Sequence, residues 1–185
     1  MDVKISVQDV VLETERLLLR SFQESDLEDF FEYASVPGVG EMAGWVHHQA
    51  IEASKKILDS FIAENEVYAI VHKANNKVIG SLGLHQSWAN EEDEYKDLRL
   101  KEIGYVLSKK YWGRGLMPEA VKKVIAYYFE NNILDAFTVS HFSFNNQSKR
   151  VIEKCGFEYV KTTNVHLKQL QKTYENLKYI LIKKG

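Results

Sequence analysis

The run Glu102-Ile103-Gly104-Tyr105-Val106-Leu107, followed by Tyr111-Trp112-Gly113-Arg114-Gly115-Leu116-Met117-Pro118-Glu119-Ala120, decides how this 185-residue chain is read. It predicts a short apolar strand, a tight Gly-Arg-Gly turn and the start of an amphipathic helix. From Leu116 to Glu130 the apolar residues Met117, Ala120, Val121, Val124, Ile125 and Tyr128 recur at three- and four-residue spacing, which makes one buried stripe. Glycines at the mouth of a helix let a ligand approach the backbone, because no Cβ stands in the way. The first N–H groups of the helix lack intrahelical acceptors, and the dipole adds partial positive charge there. Such an end suits an anion, above all a phosphate or pyrophosphate. No Walker A run is present, and Pro118 holds the place where a dinucleotide fingerprint needs its third glycine. Taken alone, Gly113-Arg114-Gly115 reads equally as a plain strand-to-helix turn.

A second segment narrows the choice. Asn145-Asn146-Gln147-Ser148-Lys149-Arg150-Val151-Ile152-Glu153-Lys154-Cys155-Gly156-Phe157 predicts a short helix opened by a capping Asn and closed by Gly156. A strand from Ala136 to His141 precedes it, and another from Phe157 to Val165 follows.

Three blocks in order now resemble the GNAT N-acetyltransferases, and within them the branch of the ribosomal-protein N-acetyltransferases RimJ and RimL. The opening block is Leu12-Glu13-Thr14-Glu15-Arg16-Leu17-Leu18-Leu19-Arg20 with Asp26 beyond it. Next comes Glu102-Ile103-Gly104-Tyr105 through Trp112-Gly113-Arg114-Gly115 to Glu119-Ala120. The last is Asn145-x-x-Ser148 through Glu153-Lys154-Cys155-Gly156-Phe157. The resemblance implies an α/β GNAT fold: a mixed sheet of about seven strands, flanked by about four helices. The sheet splays between the strand ending near Leu107 and the strand 136–141, with the acyl-cofactor in the wedge. It implies one domain over 1–185, with its core at about 14–182.

It also implies acetyl-CoA as donor, a primary amine as acceptor, and no metal. The pyrophosphate would rest on the amides of Gly113, Arg114, Gly115, Leu116 and Met117, with charge added by Arg114 and Lys110. Lys110 stands where the family has Gln or Arg. Asn145 and Ser148 would meet the pantetheine arm. The strand backbone at Tyr105, Val106 and Leu107 would run beside it, a free N–H near Val106 facing the thioester carbonyl. Such a donor is commonly worth ~3 kcal/mol.

An acceptor ammonium must lose a proton, and Glu102 is the candidate base, directly or through water. The plainer alternative is a solvated edge carboxylate. Many relatives place a tyrosine acid four residues before the glycine of the Gly-Phe pair. Here that residue is Ile152. Resemblance to the RimJ/RimL-like branch implies instead that the Ser of Asn-x-x-Ser, Ser148, is the acid for the leaving thiolate; its alternative role is helix capping or backbone bonding. Trp45 fits either an acceptor pocket or the core. The acidic run Glu91-Glu92-Asp93-Glu94 is either a steering field or a solvated face.

Composition bounds the partners. With 24 basic against 26 acidic residues and net charge −2, the chain lacks the basic excess of a nucleic-acid binder. No apolar run approaches a membrane span, and the N-terminus lacks a signal-peptide pattern, so the cytoplasm is expected. Cys155 is the sole cysteine. It sits at a helix C-terminus, where the dipole opposes a thiolate, and reads as a small buried hydrophobe. The six histidines form no cluster with metal-ligand spacing. A chain of this size buries roughly two-thirds of its unfolded surface without a metal or disulfide.

Elsewhere the pattern predicts a strand at Arg16–Arg20 and a helix capped by Ser25 through Ala34. A second helix carries Ile51, Ser54, Leu58, Phe61 and Ile62 on one face. A hairpin spans Val67–Val71 and Val78–Leu84, and a final strand covers Tyr174–Ile182. Within the enzyme class, a ribosomal-protein N-terminus and a small amine are both open as acceptors, and so is a homo-oligomer. A catalytically silent acyl-CoA-binding module is the alternative from outside the class.

Overall fold

The computed structural model describes residues 1–184. Eight strands form one sheet: β1 (Leu12–Glu13), β2 (Leu17–Ser21), β3 (Val67–His72), β4 (Lys77–His85), β5 (Leu100–Leu107), β6 (Ala136–Phe142), β7 (Glu158–Leu167) and β8 (Lys172–Ile182). Their order is β1-β2-β3-β4-β5-β6-β8-β7. Four helices flank it: α1 (Leu27–Ala34), α2 (Ile51–Glu64), α3 (Leu116–Glu130) and α4 (Asn146–Lys154). The mixed α/β sheet thus has one strand more than expected, the two-residue β1. The start of α1 also differs: Gln23, not Ser25, precedes a short 3₁₀ turn, and the Asp26 carboxylate accepts from the Gln23 N–H at 2.8 Å.

Each face of the sheet buries its own layer. On β3, Tyr68 and Ile70 point toward α3 and α4, while Val67, Ala69 and Val71 point toward α1 and α2. The period of two therefore splits one apolar strand between two cores. All six apolar residues expected on the inner stripe of α3 are buried, as are Ser54 and Leu58 on α2.

All sheet neighbours are antiparallel except β5 and β6. Those two pair in parallel only at Leu100↔Ala136, Lys101↔Phe137 and Glu102↔Thr138. Beyond Glu102 they part, while β5 stays paired to β4 as far as Leu107 and β6 stays paired to β8 as far as Phe142. The sheet splays between the two strands that the resemblance implies.

Candidate active site

A cavity of about 450 Å³ occupies the opening between β5 and β6. Strand alternation gives it two faces. Ile103 and Tyr105 belong to the α3/α4 face, and Glu102, Gly104 and Val106 to the α1/α2 face. The cavity passes through the sheet.

On the α3/α4 face the site is backbone. Gly113 and Gly115 both have φ of +74°, a left-handed conformation that costs roughly 1–2 kcal/mol with a side chain. They fold the turn so that Gly115 caps α3. Among the described residues, the N–H groups of Gly113, Arg114, Gly115, Leu116 and Met117 find no backbone acceptor, as the start of a helix requires. A second set of contacts holds this turn. Glu119 accepts from the Thr14 hydroxyl at 2.6 Å, the Arg16 N–H at 3.0 Å and Arg16 Nε at 2.7 Å. Arg16 Nη1 donates to the Arg114 carbonyl at 2.9 Å. Burial raises the Glu119 pKa, but these donors outweigh it and leave the carboxyl below its ordinary value. The first and second sequence blocks are thus two halves of one contact.

Two charged residues expected here point elsewhere. Lys110 Nζ pairs with Glu32 at 2.6 Å, well exposed and off the cavity wall. The Arg114 guanidinium stacks 5.3 Å from the Tyr111 ring, which leaves Arg114 only its backbone to offer. The short 3₁₀ turn Lys109–Tyr111 carries Lys110 away from the glycines.

The donor expected near Val106 moves by one residue. Ser108 N–H donates to the Ile79 carbonyl on β4 at 2.7 Å, and the Arg99 carbonyl accepts from Ala136 on β6 at 3.3 Å. With unbroken register between β4 and β5, even positions direct their amides at β4 and odd positions at the opening. Val106 N–H therefore faces β4, and those of Tyr105 and Leu107 face the gap. The Leu107 carbonyl is taken by Trp112 Nε1 at 2.8 Å.

Ser148 and Tyr105 meet across the wedge. Their hydroxyl oxygens lie 2.8 Å apart, and the Tyr105 hydroxyl also donates to the Ser148 carbonyl at 3.3 Å. Burial drives the Tyr105 pKa up, against a smaller lowering effect of Ser148, so the phenol stays protonated. Ser148 does not cap α4; that role belongs to Asn145, whose Oδ1 accepts from the Ser148 N–H at 3.0 Å. The Asn145 amide also donates to the Met42 carbonyl at 3.0 Å, which ties the loop carrying Met42 and Ala43 to the cavity. Ile152 is fully in the core.

On the α1/α2 face the site is side chain. Glu102 lines the cavity and accepts from the Ser140 hydroxyl at 2.8 Å. Burial raises its pKa; Ser140 and the Trp88 backbone N–H work against that. Two histidines also line the cavity. His141 is committed at both nitrogens: Nδ1–H donates to the Phe142 carbonyl at 2.8 Å, and the Tyr179 hydroxyl donates to Nε2 at 3.0 Å. His85 stands opposite Glu102 in the β4–β5 register. No residue pattern in the sequence marks it, because only the pairing of two strands brings it to Glu102.

Other candidates settle on the plainer reading. Trp45 packs in the α1/α2 core, 5.0 Å from the His48 ring, while its neighbours Met42 and Ala43 line the cavity. None of Glu91–Glu94 does, and Glu92 is paired with Lys161. Cys155 is buried, with its thiol pushed up to about 11 by desolvation, unsuited to nucleophilic work.

A splayed sheet with a glycine turn and unpaired helix-start amides at the gap is the arrangement to which a family can now be set. Residues 16–158 match the family model described as Acetyltransferase (GNAT) domain, and the chain belongs to that family of N-acetyltransferases. It is 26% identical over 178 residues to the uncharacterized N-acetyltransferase YoaA of Bacillus subtilis, covering 94% of this chain and 97% of that one. Its fold is similar to the GNAT-family acetyltransferase of Bacillus anthracis, with a TM-score of 0.81, 20% identity and coverage of 94% and 98%. It is also similar in fold to RimL, the ribosomal L7/L12 alpha-N-protein acetyltransferase in complex with coenzyme A, with a TM-score of 0.73, 16% identity and coverage of 93% and 97%.

Proposed function

We propose that residues 1–185, with a core at about 14–182, act as one domain that transfers an acetyl group from acetyl-CoA to a primary amine. Transfer is direct, with both substrates present together. The observation that carries this reading is the through-sheet cavity, with free helix-start amides on one face and the Glu102 carboxylate on the other. When bound, acetyl-CoA supplies the thioester whose carbonyl carbon the amine attacks.

The amides of Gly113 to Met117 suit a pyrophosphate, and the residues fit it because no Cβ of Gly113 or Gly115 narrows the approach. The Tyr105 and Leu107 N–H groups are the donors for negative charge that develops on the acetyl oxygen. Glu102 draws the ammonium in and assists passage of its proton to a neighbouring acceptor, water or a side chain. Ser148 returns a proton to the departing sulfur, with the Tyr105 phenol behind it to replace that proton. Asn145 shapes the channel through its cap and its bond to Met42. The acceptor is a protein N-terminal amine of the kind that the name RimL describes, in keeping with the fold likeness, or a small amine.

The test is release of free thiol from acetyl-CoA in the presence of four amines: an N-terminal serine peptide, an N-terminal alanine peptide, spermidine and glucosamine. Turnover with one of them supports the reading. Tight acetyl-CoA binding with no release in any case would leave a binding module and sink the transfer.

A further inference from the structure

Among the described residues, His85 is the cavity imidazole with no hydrogen-bond partner. Its ring lies flat on a floor made by two glycines. A Cβ at Gly83 would fall 2.3 Å from His85 Nε2, and one at Gly104 3.1 Å from Cδ2. Gly83 and Gly104 are themselves paired across β4 and β5, so the seat needs both strands to lack a side chain at that rung. The next rung is His85↔Glu102, and direct cross-strand partners project on the same face with Cβ atoms ~5 Å apart. The two side chains therefore leave neighbouring positions on the cavity wall, on the α1/α2 face, the ring over Gly83 and Gly104 and the carboxylate bonded to Ser140.

This inference rests on the acetyl-transfer reading above. From this geometry we infer that His85 is the proton acceptor for the acceptor amine, with Glu102 as its charge partner. A carboxylate alone holds an ammonium and, by pairing with it, opposes its deprotonation. A neutral imidazole beside the same carboxylate removes that conflict. The amine N–H bond breaks, a ring N–H bond forms, and Glu102 stays anionic, facing an ammonium before the transfer and an imidazolium after it. The proton then leaves through the cavity mouth, to which the ring is open.

Around the ring, Glu64 and Glu66 favour the imidazolium and Lys101 opposes it. Lys101 is paired with Asp2 at 3.2 Å and Glu66 at 3.6 Å. Desolvation is the largest influence and holds the His85 pKa below its ordinary value, which favours the neutral ring that can accept a proton.

The test is kcat/KM for the fastest of the four amines, measured from pH 6 to pH 9.5 in the wild type, His85→Ala and His85→Gln. Acetyl-CoA affinity should be unchanged in both variants. At pH 7 the loss should be about 10- to 100-fold, the lower part of the range for proton-transfer catalysis. It should shrink toward none above pH 9, where an N-terminal amine deprotonates by itself. Imidazole added to His85→Ala should restore part of the rate, which no structural role for the ring would produce. A loss equal at every pH and not rescued, or a profile identical to the wild type, overturns the inference. If no amine is turned over, the transfer reading fails. The ring is then judged by NMR titration of the wild type: a His85 already protonated at pH 7 overturns its role, and a neutral ring that shifts on addition of n-butylamine sustains it.

Discussion

The two mouths of the cavity are built by different means. On the α3/α4 face the groups offered to a ligand are peptide amides, set by two left-handed glycines and clamped by Arg16 and Glu119. On the α1/α2 face they are side chains, Glu102 and His85, brought together by the register of two strands. A backbone site tolerates almost any side chain beside it but no change of the glycines. A side-chain site depends on each named group, and its protonation state is set by burial. Substitutions on the two faces should therefore separate binding of acetyl-CoA from handling of the amine.

The largest effect should come from Gly115→Glu. The residue must adopt φ near +74°, and its carboxylate would enter the space proposed for pyrophosphate. Acetyl-CoA affinity by calorimetry should fall by more than about 100-fold, equivalent to ~2.7 kcal/mol, with the far-UV spectrum retained. Unchanged affinity in a folded variant would move the phosphate site elsewhere.

Glu102→Gln, on the other face, should leave that affinity alone and lower turnover by about 10²-fold at neutral pH. The sign follows from burial: the wild-type carboxyl has a raised pKa, so its anionic form, and the rate, fall as pH drops through that value. Gln lacks this step, so the variant keeps only the acidic limb that His85 contributes. A variant with the same acidic limb as the wild type would show that the limb belongs to another group.

Ser148→Ala and Tyr105→Phe test whether the hydroxyl pair works as a unit. Each alone should lower kcat about tenfold with little change in KM for acetyl-CoA, because the leaving thiolate has a modest pKa near 8.5. The double variant should lose little more than either single one, since groups 2.8 Å apart in one chain are coupled. Fully multiplied losses would make Tyr105 a packing residue. A combined loss of affinity and turnover would make Ser148 a shaper of the channel.

The smallest effect belongs to Lys110→Ala. Its Nζ is engaged by Glu32 and exposed, so acetyl-CoA affinity should change by less than about twofold, as for exposed ion pairs in general. A large loss would mean that Lys110 swings to the pyrophosphate when acetyl-CoA binds.

Local patterns determined a great deal. The periodicity of Leu116–Glu130, the Gly-Arg-Gly turn and the Asn-capped segment before Gly156 each depend on neighbours within four residues, and the structure repeats them almost to the residue. Peptide amides at a helix start need no partner from elsewhere in the chain, so the glycine turn and its unpaired amides could be read directly. What depends on distant partners could not. Lys110 looks free in the sequence and is claimed by Glu32, 78 positions away. Tyr105 and Ser148 become neighbours only across the wedge, 43 positions apart. Which N–H groups near Val106 face the gap is decided by ladder parity, which selects those of Tyr105 and Leu107. His85 carries no motif at all. Its place beside Glu102 arises from strand register and from glycines on two strands, because cross-strand geometry sets side-chain proximity independently of separation along the chain.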